Sequence, residues 1–112
     1  GGIHQHGFLP RMIEKRTIIE KREVAQDGTV GVRFRKEIVE DGKVIAFEYH
    51  RTTLPPGFSL DAQMGLVNAH FVVMGYPSLK DYESVRRIVD VEHTPEVIAA
   101  WKVAQAAREK DE

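Results

Sequence analysis

The side chains best placed to do chemistry in this 112-residue sequence are four cations on one stretch, Arg33, Arg35, His50 and Arg51. Arginine presents a planar fork of donors that suits a carboxylate or phosphate, so together these residues would form an anion-binding patch. The plainer reading is a solvated sheet face balanced by Glu20, Glu37 and Glu48. A second set, Phe47, Tyr49, Phe71 and Trp101, would line an apolar pocket if a sheet and helices enclose one. Aromatic residues at helical spacing more often fill a core, and Trp101 is expected there. His4 and His6 would share a face on an extended strand, but a metal site needs further ligands, and none is assigned. His70, one step off an apolar helical stripe, and His93, just before Thr94, read as structural histidines. Ser59, Ser78 and Ser84 all have capping or helix-surface explanations, and no glycine-rich phosphate loop or HExxH occurs. No nucleophile and base pair follows, so neither enzyme activity nor a cofactor is expected.

Composition narrows the partners. With 16 basic and 17 acidic side chains the net charge is -1, which gives no field to draw the chain to nucleic acid or to an anionic membrane. Cysteine is absent, which excludes disulfides and thiolate metal sites and fits a reducing compartment. No apolar run is long enough to span a bilayer and no charged-then-apolar leader is present, so a soluble, cytoplasmic protein is expected. Residues 1–11 read as an appended remnant or an N-terminal extension, and 12–112 as one domain, small enough that oligomerisation would help it.

The elements that must position the cations begin with Val30 to Thr52. Asp41-Gly42 between alternating apolar runs is a hairpin signal, because a type I′ turn needs positive φ at both central residues. A two-residue loop pairs Glu40 with Lys43 and, stepping outward, Ile38 with Ile45, Lys36 with Phe47, Phe34 with Tyr49 and Val32 with Arg51. That register puts Val32, Phe34, Ile38, Ile45, Phe47 and Tyr49 on one buried face. Arg33, Arg35, Glu37, Glu48 and His50 then share the wet face, with Arg35 opposite Glu48. Ile13 to Val24 precedes a second turn signal, Gln26-Asp27-Gly28-Thr29, and reads as a first strand whose Lys21, Arg22 and Glu23 blunt an edge.

Pro55-Pro56-Gly57 ends the sheet. Ser59 then caps a helix with the apolar stripe Leu60, Met64, Val67, Phe71 and Met74, stopped at Gly75-Tyr76-Pro77. Ser78 caps a shorter helix, and Thr94-Pro95-Glu96 opens a last one. The predicted strands are 13–25, 30–39 and 44–52, and the predicted helices 60–74, 79–90 and 95–108. The fold class is α+β, a three-stranded antiparallel meander packed on one face by two to three C-terminal helices.

The run VRFRKEIVEDGKVIAFEYHRTTLPPG, the helix DAQMGLVNAH and the segment HTPEVIAAW together resemble small uncharacterised proteins encoded near phage and prophage tail genes. Relatives of that group occur in mobile DNA of the integron-cassette kind. The resemblance covers most of Ile13 to Ala107, and the Phe58 to Asp90 helical region is longer here than in shorter phage forms. It implies a phage-type assembly or a mobile element as context and no activity. Two functions are therefore expected as alternatives. One is a structural or interaction module working as a homo-oligomer, most simply a dimer through the unguarded edge of the third strand or a helix face. The other is a small-molecule binding module with its pocket between sheet and helices.

Overall fold

Asp41 and Gly42 adopt φ of 51° and 82°, the two positive angles of a type I′ turn, and the strands beside them pair from the first residue. In the computed structural model, which describes residues 11 to 111, β1 (Ile13–Val24), β2 (Val30–Glu40) and β3 (Lys43–Leu54) form an antiparallel sheet in the order β1-β2-β3. Helices α1 (Leu60–Val73), α2 (Glu83–Glu92) and α3 (Pro95–Asp111) follow, so the expected α+β meander is the observed architecture. His4, His6 and most of the extension lie outside the described residues. Among the described residues no helix is long and apolar enough to cross a membrane.

The register differs from the predicted one by a single residue, and the cause is a bulge. Glu40 pairs with Lys43 and Val39 with Val44, but Ile38 pairs with Ala46, so Ile45 is the extra residue. Beyond it Glu37 meets Phe47, Lys36 meets Glu48, Arg35 meets Tyr49, Phe34 meets His50 and Arg33 meets Arg51. One inserted residue sends every later side chain of β3 to the opposite face. Val32 and Phe34 are buried as expected, whereas Ile45, Phe47 and Tyr49 are exposed on the far side. His50 and Glu48 turn toward the helices in their place. A second bulge interrupts β1 at Glu20, between Ile19 and Lys21.

The helices begin and end where local chemistry places them, with one exception. Ser59 Oγ accepts from Ala62 N–H, and Thr94 Oγ1 accepts from Val97 N–H. Helix α1 closes with Tyr76 N–H donating to Phe71 O and Gly75 N–H to Val72 O, the paired bonds of a Schellman end, with Gly75 at φ 85°. Helix α2 starts at Glu83, four residues later than the Ser78 cap predicts. Asn68 holds Leu79 extended by donating to its carbonyl at 3.0 Å and accepting its N–H at 2.7 Å, and Asp81 Oδ1 accepts Glu83 N–H instead. The core lies between β2 and the first two helices: Val30, Val32, Phe34, Leu54, Leu60, Met64, Val67, Phe71 and Val85. Asp61 fastens α1 to α2, accepting from Arg86 at 2.6 Å and from the Tyr82 hydroxyl at 2.7 Å.

Helix α3 is different. Its first turns rest on two glycine-bearing turns, where Val97 abuts Gly28 and Ile98 abuts Gly57, and His93 Nε2 lies 2.8 Å from Gly28 O. From Pro95 to Lys110 no residue is buried. Trp101, expected in the core, is half-buried against Phe58 at 5.5 Å between ring centres and stands apart from the core cluster. The helical spacing that suggested burial is real, but the helix carrying it rests on two turns and Phe58 rather than on the core.

Candidate functional site

Three of the four predicted cations share the sheet face turned away from the helices, and the structure commits two of them internally. Arg33 donates through Nε and Nη2 to the Glu20 carboxylate, the latter at 2.9 Å. This hydrogen bond holds the Glu20 carboxyl below its usual range. Arg35 and Arg16 both reach Glu37, whose carboxylate is fully buried, at 2.6 Å. Burial pushes the Glu37 carboxyl up, but the Arg16 hydrogen bond and the charges of Arg35 and Arg16 outweigh it and hold the group below its ordinary value. Arg35 Nε is buried with no acceptor among the described residues, and the contact at Glu37 Oε2 is ionic, its geometry being poor for a hydrogen bond.

The aromatic residues of β3 complete this layer. Arg33 lies 4.3 Å over the Tyr49 ring and Arg35 5.0 Å over Phe47, and the two rings meet edge to face at 5.4 Å. Arg51 stands directly across from Arg33, 5.9 Å from the Tyr49 ring, with no carboxylate within 4.0 Å among the described residues. Beside it a shallow depression of about 270 Å³ opens over Gly31, flanked by Arg33, Arg51, Thr53 and Glu23. The face is thus a knitted carboxylate, guanidinium and aromatic layer in which Arg51 pairs with no carboxylate among the described residues. The predicted balance by Glu20 and Glu37 holds, while Glu48 serves the other face.

His50, the fourth predicted cation, lies on that other face. Its ring stacks on His70 at 4.2 Å and 16°, with Phe34 offset at 6.3 Å and 30° and Phe71 edge to face at 5.7 Å. Lys36, only 3 % exposed, places Nζ 3.4 Å from His70 Nε2 and 3.5 Å from Glu48, with the Tyr76 ring at 5.8 Å. Burial, then the His70 and Lys36 charges, hold the His50 imidazole below its ordinary value. A neutral imidazole therefore stacks inside the α1–sheet contact, and protonating it would add a positive charge beside a buried ammonium. Sequence reasoning missed this cluster, although Lys36 alternates with Val32 and Phe34 on β2 and so belongs to the apolar face by parity alone.

The predicted pocket quartet is dispersed. Phe47 and Tyr49 are exposed on the outer face, Phe71 packs edge-on to Phe34 at 5.5 Å in the core, and Trp101 sits on α3. The space between sheet and helices is filled by Phe34, Met64, Phe71 and Val85. Among the described residues no three His, Asp or Glu converge in an arrangement that could hold a metal ion.

Besides the outer sheet face, the helices leave apolar side chains uncovered. Leu66, Val72 and Val73 of α1 and Val103 of α3 are 68 %, 59 %, 83 % and 70 % exposed. Comparison with known proteins found no matching family model, curated protein or solved structure.

Proposed function

We propose that the chain is a protein-interaction module that works as a homo-oligomer, most simply a two-fold dimer. The observation that carries this reading is α3, a 17-residue helix with no buried residue from Pro95 to Lys110. Isolated helices of about this length are marginal in water, and helices in proteins draw most of their stability from packing an apolar face. Ala99, Ala100, Val103, Ala104, Ala106 and Ala107 provide such a face and lie exposed. The uncharged outer side of α1 adds to it. In this reading the oligomer serves a phage-type or mobile-element assembly, the context implied by the resemblance of its hairpin and helix segments. Light scattering coupled to size exclusion across a micromolar dilution series tests it: a mass of twice 12.7 kDa is expected, and a mass of 12.7 kDa throughout overturns it.

A further inference from the structure

Helix α1 carries two apolar stripes with the same spacing. Leu60, Met64, Val67 and Phe71 face the sheet and are buried. Ala62, Leu66, Ala69 and Val73 repeat the four-three-four interval on the outward side, all exposed. A surface helix ordinarily sets charged residues there. Here Asp61 in the first turn, tied to Arg86, is the helix's single carboxylate, and its one basic group, His70, stacks inward on His50.

The outward stripe reads small, large, small, large, and that order is self-complementary. Turned end for end about a point between Val67 and Asn68, it sets Leu66 against Ala69 and Val73 against Ala62, so each large side chain meets a small one. Gly65 beside the stripe has open space around it and removes one obstacle to close approach. A two-fold contact sets each stripe residue against its mirror position in the partner and only the residues beside the axis against their own copies, so an ionisable group in the stripe would be buried without an opposite charge to meet it. The stripe contains none.

The area fits only if α3 takes part. Half the lateral surface of α1, about 21 Å long and 10 Å across, gives roughly 350 Å², under half of the roughly 800 Å² per partner in a stable interface. The outward half of α3, whose Trp101 meets Phe58 just ahead of α1, adds roughly 400 Å² by the same geometry over its 17 residues.

We infer that α1 packs antiparallel on α1 of a second copy across a two-fold axis near Val67 and Asn68, with the two α3 arms flanking the pair. This rests on the homo-oligomer reading above and gives it a place; the strand edges stay free.

The chain has no cysteine, so introduced thiols report without background. In the double variant Ala62→Cys with Val73→Cys, the two thiols of one helix lie about 16 Å apart, while each faces its counterpart in the partner. A short bis-maleimide whose reach is well under that distance is expected to link the double variant into covalent dimers and to leave each single variant monomeric on denaturing gels. Leu66→Glu, at an exposed position, is expected to halve the solution mass while the circular dichroism stays that of the wild type. A wild-type chain that is monomeric at every concentration overturns both readings. A dimeric wild type whose mass is unmoved by Leu66→Glu, or whose double variant does not cross-link, overturns the α1 interface and leaves the oligomer standing.

Discussion

Replacing Glu37 by Gln tests whether the outer layer of the sheet contributes to stability. The carboxylate is fully buried and holds Arg16 and Arg35 at 2.6 Å each. Removing one member of a buried pair costs about 3–5 kcal/mol, because it strands the charge left behind. Here the stranded charges keep some water, the Arg16 and Arg35 side chains being 48 % and 29 % exposed, so the expected loss is lower, about 2–3 kcal/mol at pH 7. The pH dependence carries the sign. Glu37 is held below the carboxylate value of 4.5, so its contribution is fully present above that pH and is lost as pH falls through the depressed folded value. Urea unfolding of both proteins at one fixed concentration, repeated from pH 7 downward, should show the gap between them narrowing below about pH 4.5. A gap under about 0.5 kcal/mol at pH 7, or one that persists undiminished in acid, would refute the assignment.

Two further perturbations follow from the same coordinates. His50 is held below the ordinary imidazole value of 6.5, so the folded state takes up its proton later than the unfolded chain does and loses stability as pH drops from that value; His50→Phe should flatten the decline in urea midpoint between pH 7 and 5, and an unchanged decline would remove His50 as its cause. Gly28→Ala and Gly42→Ala form a matched pair, since both glycines have positive φ, but a Cβ on Gly28 would lie 2.6 Å from Val97 Cγ1 while Gly42 has open space. A loss of about 1 kcal/mol is expected at Gly42 and a further 1–2 kcal/mol at Gly28 by chemical denaturation; equal losses would mean that seating α3 on this turn contributes nothing.

The parts of the fold that were legible in the sequence are those written in local chemistry. Asp41-Gly42, Ser59, Thr94-Pro95 and Gly75 each demand or satisfy a backbone conformation of their own, and each sits where that demand is met. The bulge at Ile45 was not legible, because β3 carries apolar residues on both parities. Ile45, Phe47 and Tyr49 make one apolar set and Val44, Ala46 and Leu54 another, so alternation alone favours the aromatic one. What decides is Leu54, 2 % exposed in the core, which shares its parity with His50 and Thr52. The displaced aromatic rings are then stabilised under Arg33 and Arg35. For the same reason the candidate anion patch divided. Arg33, Arg35 and Arg51 stayed together while His50 crossed to Lys36 and His70, a pairing that depends on a helix distant in sequence and that no strand pattern records.

The order β1-β2-β3 also has a kinetic meaning. Each strand pairs with its neighbour in sequence, so the sheet closes through the short turns between Val24 and Val30 and between Glu40 and Lys43, and local contacts of this kind form before much chain entropy has been spent. The contact of His93 with Gly28 spans 65 residues. Closing that excursion costs about 2 kcal/mol more in loop entropy than closing a five-residue turn, and little apolar burial at α3 offsets it. The topology thus separates a sheet that assembles quickly and locally from a C-terminal helix whose docking closes the longest excursion for little apolar burial within its own chain.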